Sequence, residues 1–240
     1  MTFGSLFAGI GGMDLGLERA GMVCRWQAEI DPFCRKVLEK DWPKVRRYED
    51  VKGIDEGCER VDLIAGGFPC QDISYAGYGA GLDGDRSGLW WEFARVIRIL
   101  GPSLVIVENV AALLNRGMGD VLGTLSSLGY DAEWSVVSAC SVGHTHMRRR
   151  MFIVAHANGV DGRPRVWNLE QRRKWKVSQV DSFARTRADQ KARLANPSEL
   201  YRGADGVPFG MDRNRAIGNS VPPQVAEWIG RRIMQISVCP

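Results

Sequence analysis

The run Leu104-Val-Ile-Val, followed at once by Glu108-Asn109-Val110, constrains the fold more than any other feature of this chain. An unbroken apolar run of strand length offers no polar face to water. It marks a strand buried on both sides, which in practice means a parallel sheet covered by helices. Phe3 to Phe7, Val23 to Glu29, Val45 to Tyr48 and Asp62 to Gly66 read as four earlier strands. Met13 to Ala20, with Met13, Leu17 and Ala20 at helical spacing, reads as a helix, as do Pro32 to Leu38 and Trp90 to Leu100. Strand and helix in alternation predict a doubly wound α/β fold with a mostly parallel sheet. A helix over Leu122 to Leu128, two strands over Asp131 to Ala139 and Arg150 to Ala155 joined by a turn, and a closing helix over Pro223 to Ile236 complete the pattern.

Residues 157 to 203 lose this periodicity and gain charge. From His144 to Gly203 there are 14 Lys and Arg against 5 Asp and Glu, while the rest of the chain holds 18 basic and 23 acidic residues. A mildly acidic body with one strongly basic segment suggests a polyanionic partner. The expected organisation is a large domain over residues 1–156, a small basic domain over 157–203, and a segment over 204–240 that returns to the first. Trp167 and Trp175 are expected to form the small core of the basic domain.

Hydrophobic residues make up 45% of the 240 residues, enough for a core of that size. No apolar run approaches the ~20 residues of a membrane span, and the N-terminus lacks a signal-peptide pattern. A cytoplasmic protein with no membrane partner is expected. The six cysteines form no CxxC pair, so a zinc site is weakly supported and no metal is expected.

The chemistry concentrates at strand ends. Phe7-Ala8-Gly9-Ile10-Gly11-Gly12 follows the first strand, where glycines let backbone approach a ligand at a helix N-terminus. Glu29 ends the second strand, where a carboxylate commonly accepts from the ribose hydroxyls of an adenosine cofactor. Asp50, near the end of the third, could accept from an adenine amino group. A glycine turn alone does not separate NAD, FAD and S-adenosylmethionine sites. Gly66-Gly-Phe-Pro-Cys-Gln71 follows the fourth strand and sets Cys70 beside that turn as a candidate nucleophile. Glu108, leaving an apolar strand next door, is a carboxyl whose pKa burial can raise, and so a candidate acid.

Phe-Ala-Gly-Ile-Gly-Gly, Pro69-Cys-Gln71, Glu108-Asn-Val110, Arg148-Arg-Arg150 and Gly218-Asn-Ser-Val221, in that order, resemble the DNA (cytosine-5) methyltransferase family. The resemblance runs from Leu6 to about Gly230, except for the basic segment. It implies an S-adenosylmethionine-dependent enzyme, of bacterial cell or phage-infected host, acting on double-stranded DNA. Cys70 would add to C6 of a flipped-out cytosine, Glu108 would hold the N3 edge and supply a proton, and Arg148 and Arg150 would orient the base and the catalytic groups. The implied cofactor contacts are Phe7, Ala8, Gly9, Gly11, Gly12, Glu29, Ile30, Asp50, Val51, Pro69, Leu89, Asn219, Ser220 and Val221. Gln71, Ser74, Arg86, Arg163, Arg165, Arg172, Arg173 and Lys174 are the expected DNA contacts. The glycine-rich stretch Ser74 to Gly84 is expected to act as a lid. A monomer is expected, and a restriction endonuclease partner stays open.

Three departures from the family pattern stand out. Ile30 occupies a position often held by tryptophan, Thr145 and His146 stand where Pro-Gln or Pro-His is frequent, and the recognition segment is short. Three rival readings explain parts of this pattern. A dehydrogenase would leave Pro-Cys-Gln and Glu-Asn-Val idle. A tRNA cytosine methyltransferase shares the catalytic core, but its Cys-Phe-Thr tripeptide is missing from this chain. A binding module that has lost catalysis would not need the cysteine, the acid and the arginines together.

Overall fold

The computed structural model describes residues 1–69, 88–142, 148–158 and 220–237, with side chains through 235. Among them are seven strands in one sheet: β1 (Thr2–Leu6), β2 (Val23–Ala28), β3 (Arg46–Tyr48), β4 (Leu63–Gly67), β5 (Leu104–Val110), β6 (Tyr130–Ser138) and β7 (Arg149–Ala157). The helices are α1 (Gly12–Arg19), α2 (Pro32–Asp41), α3 (Leu89–Leu100), α4 (Met118–Ser127) and α5 (Pro223–Ser237).

The strand order is β3-β2-β1-β4-β5-β7-β6. The first five are parallel, while β7 runs antiparallel to both β5 and β6. The expected doubly wound, mostly parallel sheet is thus the observed one. The apolar runs are explained by the two cores that flank it. Along β5, Val105 and Val107 pack with Trp90, Phe93, Val121 and Leu125 of α3 and α4. Leu104 and Ile106 point the other way, into a cluster with Met13 and Leu17 of α1 and Val225 and Ile229 of α5. A strand covered on both faces needs apolar residues at every position.

The strands lie close to their expected places. The largest shift is in α4, which begins at Met118 rather than Leu122. Gly117 precedes it in a left-handed conformation, and Gly119 and Gly123 interrupt its apolar spacing. Two residues anchor the helices that bear on the site. Asp31 caps α2 by accepting from the N–H groups of Phe33 and Cys34, with Pro32 in the first turn, where its missing N–H costs nothing. Gly101, left-handed at φ 58°, ends α3.

The chain winds one way from β1 to β2 and β3, and the other way from β1 to β4 and β5. Such a switch opens a crevice at the carboxyl ends of the two central strands. The register puts Leu6 beside Gly66, so the glycine turn after β1 and the chain after β4 leave the sheet side by side. The basic segment, the stretch from Cys70 to Ser87, and residues 143–147 lie outside the described residues, and with them the expected recognition domain, the lid and His146.

Candidate active site

The glycine turn is built for close approach. Phe7 and Gly9 both have positive φ (54° and 57°), and among the described residues a Cβ on Gly9 would meet nothing within 4 Å. The Phe7 ring packs 6.3 Å from Phe93, which anchors one end of the turn in the core. Glu29 anchors the other end. Its Oε2 accepts from the Gly9 N–H at 2.7 Å and its Oε1 from the Asp31 N–H at 2.8 Å. The carboxylate that was expected to meet a ribose also ties the turn to the end of β2. Ile30 follows it with 69% of its surface exposed, an apolar group at the mouth of the crevice.

Asp50 caps a short 3-10 turn by accepting from the Lys52 N–H at 2.9 Å, and Val51 beside it is buried. Sequence reasoning missed what holds this turn. Arg95 of α3 donates to the carbonyls of Ile54 (2.7 Å) and Val51 (3.0 Å) and pairs with Glu92. No sequence pattern marks an arginine whose targets are backbone oxygens. On the far side, Ser220 and Val221 lie directly over Gly12, where any Cβ would collide with the Ser220 hydroxyl and the Val221 carbonyl. Leu89 opens α3, half-buried against the core that holds Phe93. Phe7, Ala8, Gly9, Gly11 and Gly12 follow β1, Glu29 and Ile30 follow β2, Asp50 and Val51 follow β3, and Pro69 follows β4. An open glycine turn, a fixed carboxylate one strand away and a capped acidic turn on the next suit a nucleoside cofactor. Of the expected cofactor contacts, Asn219 alone lies outside the described residues.

The acid is at the end of β5. Glu108 is 8% exposed, and Gly67 is its partner on β4. Arg150 reaches it from β7 with Nε 3.0 Å from Oε1. Burial pushes the Glu108 carboxyl up from its ordinary range to about 7, against the pull of Arg150 and, more weakly, Arg148. The ion pair favours the charged form and desolvation the neutral one. Desolvation is the larger effect, so near neutral pH the group is divided between the two states. That is the state of a proton donor that can be reloaded.

Asn109, next in the chain and also buried, was given no role by the sequence. Its Nδ2 donates to the Phe68 carbonyl at 3.1 Å, and its Oδ1 accepts from the Val110 N–H at 2.8 Å. The Phe68 ring is wedged 5.4 Å from Trp90. The two residues that lead to Pro69 are therefore registered against β5 by both main chain and side chain. Cys70, Gln71, Ser74, Arg86, Arg163, Arg165, Arg172, Arg173 and Lys174 lie outside the described residues. Among the described residues there is no group of three or more potential metal ligands, and no helix is long and apolar enough to cross a membrane.

The sheet order, the glycine turn at the switch point and the acid on the neighbouring β5 are those of an α/β fold of the S-adenosylmethionine-dependent methyltransferase class. Solved structures agree in fold: a DNA modification methyltransferase encoded within a prophage of E. coli (24% identity, TM-score 0.55, 65% of this chain and 47% of that one) and the S. pombe Dnmt2 methyltransferase (19%, TM-score 0.57, 71% and 54%). The C-5 cytosine-specific DNA methylase family model matches residues 1–200, and the chain belongs to that family. Among curated relatives, the Type II methyltransferase M.Eco47II of Escherichia coli is 41% identical over 171 residues, which are 68% of this chain and 41% of that protein. The Type II methyltransferase M2.BsuMI of Bacillus subtilis is 39% identical over 159 residues, 63% of this chain and 41% of that protein. The matches span half or less of these relatives' own lengths.

Proposed function

We propose that this chain transfers a methyl group from S-adenosylmethionine to C5 of a cytosine flipped out of duplex DNA, through a covalent adduct between Cys70 and C6. The observation that carries the proposal is Glu108: a buried carboxyl, poised to hold a proton near pH 7, on the strand next to the one that runs into Pro69-Cys70. Unmodified cytosine is a poor nucleophile at C5. Thiolate addition at C6, with a proton supplied to the N3 edge by Glu108, makes C5 a carbon nucleophile. Arg150 holds the acid in place and limits how far its pKa can rise. S-adenosylmethionine, when bound, supplies the methyl group as a sulfonium electrophile. Loss of the C5 proton to water, return of the N3 proton to Glu108 and departure of the thiolate then free the enzyme. The glycine turn, Glu29 and Asp50 would bind the nucleoside part of the cofactor, with Ser220 and Val221 closing the turn from behind.

Duplex DNA is the proposed substrate. The charge excess between His144 and Gly203 supports this, with Arg163, Arg165, Arg172, Arg173 and Lys174 as phosphate and base-edge contacts. Residues from about 158 to 202 would choose the sequence. The relatives named Type II methyltransferases make a restriction endonuclease a reasonable companion. The decisive experiment uses duplex DNA with 5-fluorocytosine at the target and S-adenosylmethionine. Fluorine at C5 cannot leave as a proton, so a stable protein–DNA adduct should form and map to Cys70, and Cys70→Ala should form none. An adduct on Cys24, Cys34 or Cys140 refutes the assignment.

A further inference from the structure

Arg35 stands in the first turn of α2, where a cation is out of place. The free N–H groups of a helix N-terminus carry partial positive charge, and basic side chains are favoured at the opposite end. The guanidinium reaches back over the turn. Its Nη1 donates to the carbonyl oxygens of Glu29 (3.3 Å) and Ile30 (2.8 Å), and its Nη2 lies 3.8 Å from the Glu49 carboxylate. Glu49 is 82% exposed and distant, so that pair is a weak reason for the arrangement. The two carbonyls are the stronger one. The Ile30 carbonyl contact is exposed, where water could serve equally well, and the Glu29 contact is only part-buried. What Arg35 adds is therefore geometry more than satisfaction of a polar group.

These carbonyls belong to the two residues at the cofactor-facing end of β2. Glu29 is fixed at every other polar point. Its N–H donates to the Tyr48 carbonyl (3.1 Å), Oε2 accepts from Gly9 and Oε1 from Asp31. The Asp31 carboxylate in turn caps α2, one turn of which carries Arg35. Arg35 thus closes a loop of contacts from α2 to the end of β2, to the glycine turn and back.

We propose that Arg35 is a positioning residue for the nucleoside end of the cofactor. It holds the backbone at Glu29 and Ile30 so that the carboxylate and the apolar side chain are set before the ligand arrives. A site ordered in advance does not lose affinity to ordering its own groups on binding. This rests on the reading of the crevice as an S-adenosylmethionine site.

The test is cofactor affinity in the full chain, with S-adenosylhomocysteine titrated calorimetrically into wild type, R35M and R35K. Methionine keeps an apolar stem and removes every donor, and lysine keeps a charge with poorer directionality. R35M should weaken binding by about tenfold or more, the scale of one lost charge-assisted contact, and R35K should recover part of it. Hydrogen exchange of the ligand-free protein should quicken at the Gly9 and Asp31 amides and stay unchanged at Thr2, whose amide bonds to Asp62 at the other end of the sheet. R35M binding within about twofold of wild type overturns the proposal, as does uniformly faster exchange, which would mark Arg35 as a general stabiliser. A wild-type chain that binds no S-adenosylhomocysteine overturns it too, by removing the methyltransferase reading beneath it. Wild-type binding with an unaffected R35M would remove Arg35 alone.

Discussion

Gly67 and Glu108 face each other across β4 and β5, and a Cβ placed on Gly67 would lie 2.5 Å from the Glu108 Oε2. The acid occupies the space that a side chain on the neighbouring strand would take. Gly67→Ala must therefore push the carboxyl aside and stretch its 3.0 Å pair with Arg150. The end of a glutamate side chain can yield, so the variant should fold and bind cofactor. Its rate of methyl transfer should fall by about 10–100-fold, because a misplaced proton donor loses much of its advantage. Transfer of labelled methyl groups to DNA at saturating cofactor, alongside the melting temperature, measures both. Turnover equal to wild type would show that the carboxyl does not need that space.

Glu108 should also set the alkaline side of the pH–rate profile. Its folded pKa is about 7, and the acid is active while protonated, so turnover should decline as pH rises through about 7. Glu108→Gln should abolish that limb and slow turnover by roughly 10²–10⁴-fold, the usual contribution of a general acid. Arg150→Met removes the cation that opposes burial. The Glu108 pKa should then climb further and the alkaline limb should move up, even as the rate falls through lost orientation. A limb that moves down in Arg150→Met contradicts the balance of burial and charge described for the site.

The sheet was legible in the sequence because burial on both faces leaves a distinctive trace: Val105 and Val107 serve one core, Leu104 and Ile106 the other, and the run has no polar gap. Glu29 and Glu108 were legible in position for another reason, as carboxylates at strand ends. What escaped was everything that acts through main chain. Asn109 is recognisable only once Phe68 is known to lie across from it. Arg95 and Arg35 serve carbonyls at the ends of other elements. The start of α4 was hidden because Gly119 and Gly123 dilute its apolar spacing. Asp14, an acidic residue of α1, is fully buried, and nothing in its sequence context marks it.

Asp14 makes a stability prediction separate from catalysis. It lies behind the glycine turn with buried Gln27, whose Nε2 is 3.4 Å from Oδ2, and the Ser5 and Gln27 side chains only partly offset its burial. Burial pushes its carboxyl up from 3.8 to about 7. For an acid with a raised folded pKa, the stability it contributes is fully present below the unfolded pKa and is lost as pH rises through the folded one. The protein should therefore lose stability between about pH 4 and pH 7, by on the order of 2–4 kcal/mol from this group alone. Asp14→Asn keeps the shape and cannot ionise. Its melting temperature relative to wild type should be clearly higher at pH 8 than at pH 5. Parallel pH profiles for the two proteins would mean that Asp14 ionises without cost, against its burial.

Helix α5 braces the glycine turn after β1. Gly16 of α1 sits where α5 crosses, and a Cβ there would strike the Pro223 carbonyl and come within 2.5 Å of the Ala226 methyl. A Cβ on Gly230 of α5 would likewise come within 2.7 Å of the Ala20 methyl. The glycines let the two helices touch backbone to backbone, and this contact carries Ser220 and Val221 onto Gly12 at the mouth of the turn. Gly16→Ala must push α5 outward. It should cost about 1–3 kcal/mol of stability, as overpacking does, despite alanine's better helix propensity. It should also weaken S-adenosylhomocysteine binding, because the support behind Gly12 moves with α5. Gly123→Ala in α4 is the contrast. A Cβ there meets nothing within 4 Å, so the same exchange should stabilise the protein by roughly 0.5–1 kcal/mol and leave cofactor affinity alone. Urea unfolding and calorimetric titration of the two variants separate the effects. If Gly16→Ala proves as stable as Gly123→Ala and binds as tightly as wild type, α5 does not brace the cofactor turn.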